Sequence, residues 1–257
     1  MCYEFNFSLD FKDFLNVLFW IFTGFIAFYT FKNAKKTLFN PVRSEMVKYQ
    51  LKNITDFIDK HTAKGYTFDA AIDYYHTLKL NIECNYILRI ITNEQIYDNH
   101  VFSETDENIL KFCKENIVAI FYIKMENDTK VFEALNADFD TVKSFYSYTL
   151  QDLKEDNSFI GVVYLTKRSY DFYTDLINLE TNPFIPNQIK LEIKNTVKNI
   201  NQNFIKIEKV LSENLSSSNE LNYKPIYDQF EIDKIYHSDD LQNLRQSISN
   251  YFKVDEL

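Results

Sequence analysis

Residues Phe14 to Phe31 read FLNVLFWIFTGFIAFYTF, eighteen consecutive positions without an ionisable charge at neutral pH. As a helix rising about 1.5 Å per residue, the run covers roughly 27 Å, close to the thickness of a bilayer's hydrocarbon core. Asn16 and Thr23 add only uncharged polar groups, and Trp20 lies too deep to serve as an interfacial belt residue. The next most apolar stretch, Ile117 to Ile123, has seven residues bracketed by Lys114, Glu115, Lys124 and Glu126 and belongs in a protein core. The sequence therefore predicts one transmembrane helix over residues 14–31, placing Phe14, Trp20, Gly24, Tyr29 and Phe31 in lipid. Two other readings fit an apolar run near an N-terminus, a secretory signal and a buried soluble helix. The first wants a basic leader and a small-residue cleavage site. Here residues 1–13 carry Glu4, Asp10 and Asp13 against Lys12, the run ends in Tyr29-Thr30-Phe31-Lys32, and Cys2 precedes it.

Orientation follows from the flanking cations. Lys32, Lys35, Lys36 and Arg43 crowd a stalk over residues 32–43, so the positive-inside rule puts the N-terminus outside and the rest in the cytoplasm. The same four side chains would meet anionic lipid headgroups, each worth about 1 kcal/mol near the surface. Up to Lys48 there are six basic and four acidic residues; the remaining 209 carry 22 basic and 33 acidic, a net of −11. An acidic body of that kind is repelled by phosphate backbones, so nucleic acid is not an expected partner.

Composition removes further classes. Glycine occurs only at Gly24, Gly65 and Gly161, so neither a P-loop nor a dinucleotide fingerprint can be built, and no cofactor is expected. With four prolines and three glycines the chain is poor in tight turns, which favours long helices over a many-stranded barrel or sandwich. Cys2, Cys84 and Cys113 form no CxxC pair; the latter two lie among apolar residues and read as reduced core thiols of a reducing compartment.

The body over residues 44–215 reads as an all-α, bundle-like domain. Asn40-Pro41 looks like a cap followed by a first-turn proline, with a kink in the chain there. Val47, Leu51, Ile54, Phe57 and Ile58 then follow helical spacing up to a stop at Gly65. Thr67 can cap a helix with Phe68, Ala71, Ile72, Tyr75, Leu78, Ile82, Ile87, Ile90 and Ile91 on its apolar face. Ser103 and Asp106 form a capping-box pattern before Ile109, Leu110, Cys113, Ile117, Ile120 and Phe121. A further helix is expected over Phe139–Leu153. Phe159 to Leu165 (FIGVVYL) has the β-branched content of a strand, but its continuation through Tyr170, Phe172, Tyr173, Leu176 and Ile177 favours a long helix. After a turn at Asn182-Pro183 and Pro186, Ile189 to Leu215 is the most regular segment, with apolar residues every three or four. Residues 216–257 read as a serine-containing linker followed by a docking helix at about Asp239–Phe252, with Leu241, Leu244, Ile248, Tyr251 and Phe252 on its face. The terminal Val254-Asp255-Glu256-Leu257 echoes an ER-retention tail without its basic first residue and reads as chance.

Candidate chemistry is sparse. Asp69, Asp73 and His76 fall at i, i+4 and i+7, a spacing that places two carboxylates and an imidazole on one helix face as weak metal-ligand candidates. No second Glu-x-x-His or His-x-x-x-His element exists to complete a shell, so a solvated helix start is the plainer expectation and no metal is expected. Lys190, Lys194 and Lys198 form a basic ridge that reads as a solvated helix face. Thr23 and Ala27 have small-xxx-small spacing, a weak pairing hint because Phe28 stands where a full GxxxG needs glycine.

The plan resembles bacterial single-pass membrane proteins that carry a short leader, one span, a Lys-rich stalk ending in Asn-Pro and a helical body. FKNAKKTLFNPVRSE (residues 31–45) carries the likeness, which implies no activity. The sequence thus supports, first, a non-enzymatic, membrane-anchored module that binds a protein partner or self-associates through its cytosolic helices, as scaffold or sensor. Second comes a membrane-acting effector of a bacterial defence or toxin system, and third a metal-dependent enzyme using Asp69, Asp73 and His76.

Overall fold

The computed structural model describes residues 11–62, 67–152, 159–215 and 223–252. The acidic leader up to Asp10, the stop at Gly65, the serines of the expected linker and the terminal Val-Asp-Glu-Leu lie outside the described residues. The chain divides into two compact units, residues 1–52 and 53–257.

Helix α1 runs from Phe11 to Thr62. Within it, the window Phe14–Ala34 is long and apolar enough to cross a membrane, and none of that window is buried. Thr23 satisfies its hydroxyl locally by donating to the Phe19 carbonyl at 2.7 Å. Contrary to the expected boundary at Asn40-Pro41, the helix continues through both residues. A proline inside a helix removes one backbone hydrogen bond and costs about 3 kcal/mol. A helix with many propagating turns on either side can absorb that loss.

Unit 53–257 opens with the end of α1, whose Ile54, Phe57 and Ile58 are buried. Thr67 caps the short α2 (Phe68–Ile72) as its spacing predicts. The expected single helix then breaks at Asp73, whose φ of 57° is left-handed, and α3 (Tyr74–Thr92) begins anew. The break resets the helical phase: Tyr74 is buried, while Tyr75, expected on the apolar face, is 63% exposed. After α4 (Glu94–Tyr97), helix α5 (Glu104–Asn116) starts on the anticipated capping box, with Ser103 and Asp106 each bonding the other's backbone.

Here the all-α expectation is corrected, because the body is mostly helical around a small sheet. Helix α5 stops at Asn116, and Ile117–Glu126 is strand β1, not more helix. Asn127 and Asp128, with φ of 49° and 63°, form the tight turn into β2 (Thr129–Asn136). Helix α6 (Phe139–Asp152) matches its expected range, but FIGVVYL is strand β3 (Phe159–Thr166), where a long helix was favoured. Both other strands pair antiparallel with β1, giving the order β2-β1-β3. A central strand covered on both faces shows no apolar–polar alternation, which is why its sequence passes for a continuing helix. On one face Phe121 meets Phe204 and Tyr173 at ring distances of 4.7 and 5.6 Å. On the other, Ile120 and Tyr164 join Leu80, Cys84, Ile87 and Leu88 of α3, Ile109 and Cys113 of α5, and Phe139 and Val142 of α6.

Strand β3 ends where Thr166 caps α7 (Lys167–Thr181), accepting from Ser169 N at 3.3 Å. Its outer edge is closed by a side chain. Asn81 of α3 donates to the Tyr164 carbonyl at 2.7 Å and accepts from the Tyr164 amide at 2.8 Å, standing in for a fourth strand. Helix α8 (Asn187–Leu215) carries the predicted stripe, with Ile189, Ile193, Ile200, Phe204 and Ile207 buried. Tyr223–Asp233, expected partly as linker, is helix α9, and α10 (Asp240–Phe252) buries Leu241, Leu244 and Ile248.

Candidate functional site

The residues singled out from sequence do not converge as predicted. Asp73 terminates α2 through its backbone N–H to the Asp69 carbonyl and also caps α3, so Asp69 and His76 belong to different helices. Asp69 turns away and accepts the backbone N–H of His237 at 2.8 Å. Its other oxygen, Oδ1, is buried with no hydrogen-bond partner among the described residues. Among the described residues, no group of three His, Cys, Asp or Glu side chains comes together as a metal shell.

Asp73 and His76 do remain together. The Asp73 carboxylate accepts from His76 N at 3.3 Å and from His76 Nδ1 at 2.9 Å, and Arg168 Nη1 stands 3.8 Å from its second oxygen. A non-glycine residue held at positive φ is sparsely populated backbone of the kind that gathers at functional sites. Asp tolerates it because its short side chain bonds locally.

His76 opens onto a groove of about 660 Å³ between α3 and α9, lined by Tyr75, Lys79, Glu83, Tyr223, Lys224 and Tyr227. The rings of Tyr75 and Tyr227 stack at 4.7 Å with 19° between their planes. Tyr223 donates to Glu83 Oε1 at 3.0 Å; burial, with the neighbouring Glu83 charge, pushes its phenol well above the usual range. Lys79 lies 4.6 Å over the Phe112 ring and 3.8 Å from Glu83. Stacked tyrosines beside cations are the composition of a recognition surface, since tyrosine and lysine stems offer contact area with polar tips. No sequence argument named Tyr223, Lys224 or Tyr227. Their i, i+4 tyrosine spacing is present in the sequence, but Tyr223 and Lys224 fall in the stretch read as linker, and the helix there takes Pro225 into its first turn, where proline is tolerated.

The other histidines are structural by comparison. His61 donates Nε2–H to Asp175 at 2.8 Å and packs against Phe172 at 5.1 Å. His100 bonds Asp106 at 3.1 Å. His237, fully buried, pairs Nδ1 with Asp240 at 2.8 Å and Nε2 with the Tyr74 hydroxyl at 2.8 Å. That contact and the Asp69 bond strap the segment before α10 onto α2 and α3. On α8, Lys194 and Lys198 are exposed and Lys190 half-buried, the disposition of a solvated ridge.

Of the residues expected in lipid, Phe14, Trp20, Tyr29 and Phe31 are all exposed, and Gly24 has open space where a side chain would begin. Lys32 is exposed beyond them. Lys35, Lys36 and Arg43 lie on α1, their side chains outside what is described.

Comparison of the chain with protein-family models, with curated proteins and with solved structures gives no match.

Proposed function

We propose that the chain is a single-pass membrane-anchored protein whose helical body, facing the cytoplasm, binds a protein partner. One observation carries the anchor: the apolar window Phe14–Ala34 is entirely unburied, with Trp20, Phe22 and Phe25 each at least 70% exposed. A soluble protein's core helix buries such a face, and monomers rarely leave apolar patches of this extent in water. A secretory signal passes the same length and composition test, but the leader's acidic charge and the missing cleavage site oppose it. The cation cluster from Lys32 to Arg43 supports an inward-facing body, and its lysines would rest against anionic headgroups. The tyrosine-lined groove between α3 and α9 is the docking surface this reading assigns to the partner, in keeping with tyrosine enrichment at interfaces.

Alkaline extraction of membranes followed by protease protection tests attachment and sidedness together. The protein should stay in the carbonate-washed pellet, and its body should be digested only when protease reaches the cytoplasmic side. Release of the intact chain at high pH overturns the anchor; digestion from the opposite side overturns the orientation.

A further inference from the structure

Each of the four histidines is held by an aspartate, but His76 has by far the most exposed side chain and is the one that lines a groove. A carboxylate cannot donate a hydrogen bond, so the nitrogen facing it carries the proton. For His76 this places the proton on Nδ1 against Asp73 and leaves Nε2 as the lone-pair nitrogen of the neutral ring, with its side chain 59% exposed. Among the described residues Nε2 of His76 has no partner. By the same logic His61 keeps its free nitrogen in a side chain only 8% exposed, and His237 uses both nitrogens. His100 spends Nε2 on Asp106 and is 26% exposed.

We propose that Nε2 of His76 is a nucleophile that accepts a phosphoryl group from a small energy-rich donor, an acyl phosphate or a phosphoramidate. Three features of the site select this chemistry. Asp73 fixes the tautomer and compensates the positive charge the ring gains on attack, the orienting role a carboxylate plays beside an activated imidazole. Lys79, one turn further along α3 and leaning toward Glu83 and Phe112, and Lys224, across the groove, line the same opening, so two cationic residues flank the space a phosphoryl dianion would enter. The groove is open, so a donor reaches the ring without rearrangement. Among the described residues Glu83 is the one groove carboxylate; it is engaged by Tyr223 and stands 3.8 Å from Lys79, which mutes its repulsion of the incoming group.

In the step itself, the Nε2 lone pair forms the N–P bond while the bond from phosphorus to the leaving group breaks. Phosphoramidate at neutral pH carries a protonated nitrogen on phosphorus, so ammonia departs with that electron pair and then takes one proton from solvent to become ammonium; from an acyl phosphate, a carboxylate departs with the pair. The product is an imidazolium phosphoryl group whose Nδ1–H stays bonded to Asp73, so the ring itself neither gains nor loses a proton and nothing is oxidised.

The test incubates the full chain, in detergent micelles at neutral pH, with phosphoramidate and follows the product by intact and tandem mass spectrometry. One acid-labile phosphoryl group should appear on His76, at least about tenfold faster than on N-acetylhistidine amide under the same conditions. His76→Gln should abolish it. Asp73→Asn keeps an acceptor for the helix cap and tolerates positive φ, so it removes little but the charge; it should slow the reaction about tenfold. Lys79→Gln with Lys224→Gln should slow it several-fold. A rate on His76 no greater than that of the model amide overturns the proposal, as does equal labelling of His100 or an Asp73→Asn rate equal to the parent's. Far-UV circular dichroism checks that each variant is folded. The comparison with the model amide needs no variant and decides the matter alone if one of them is not.

Discussion

Asn81 is the substitution from which the architecture can be judged most directly. It sits in the middle of α3, fully buried, and its amide makes the two bonds that close the outer edge of β3 at Tyr164. Replacing it with leucine keeps the approximate volume but leaves the Tyr164 N–H and C=O facing a hydrocarbon side chain, away from water. Each buried orphan costs about 1–3 kcal/mol, so the pair costs about 2–6. The added apolar burial of leucine returns about 1–2 kcal/mol. The expected net loss is about 3 kcal/mol, a large part of the roughly 5–15 kcal/mol that holds a typical fold. Asn81→Asp should be worse at neutral pH, because a carboxylate would face the Tyr164 carbonyl with no proton between them. It should partly recover in acid, since a buried acid has a raised pKa and the stability tied to its protonated form is lost as pH rises through it. The assay is urea unfolding of the full chain in micelles, followed by far-UV circular dichroism. Tryptophan emission cannot replace it, since the sole tryptophan, Trp20, lies in the apolar window Phe14–Ala34, outside the body that unfolds. An Asn81→Leu loss below about 1 kcal/mol with an unchanged denaturant slope would refute the claim that a side chain substitutes for a neighbouring strand here.

Further outcomes follow from other contacts. A Cβ on Gly161 would lie 2.3 Å from Glu208 Cγ, so Gly161→Ala should cost about 1–2 kcal/mol, and Glu208→Ala should recover most of it in a double-mutant cycle; additive effects would sink the explanation. Burial works to raise the Asp106 carboxyl, but bonds from Ser103, His100 and Tyr86 outweigh it and hold it at about 2. A depressed carboxyl contributes stability that is present above its unfolded value of 3.8 and lost as pH falls toward about 2. Allowing for solvent screening, that is about 1–2 kcal/mol, and Asp106→Asn should flatten stability over this window in acid titrations. If Phe14–Ala34 is dissolved in lipid, Trp20 emission should be quenched by lipids brominated near the bilayer centre and barely by aqueous acrylamide; the reverse pattern counts against the anchor.

Some of this molecule could be read along the chain, because the physics involved is local. The uncharged run at Phe14–Phe31, the Thr67 cap, the Ser103–Asp106 box and the three-four stripe of α8 depend on neighbours a few residues away, and each appears where its spacing places it. What failed was decided by distant partners. Ile117–Ile123 and FIGVVYL are strands because each supplies the other's backbone hydrogen bonds across more than thirty residues, and burial on both faces erases the alternation that would announce them. The groove depends on Tyr227 meeting Tyr75 across the fold, and the pairing of Asp69 with His237 rather than His76 follows from one left-handed residue that no periodicity encodes. Helix starts and apolar spans are written in short-range sequence; sheet partners, helical phase across a break, and which histidine nitrogen faces solvent exist only once the chain has closed on itself.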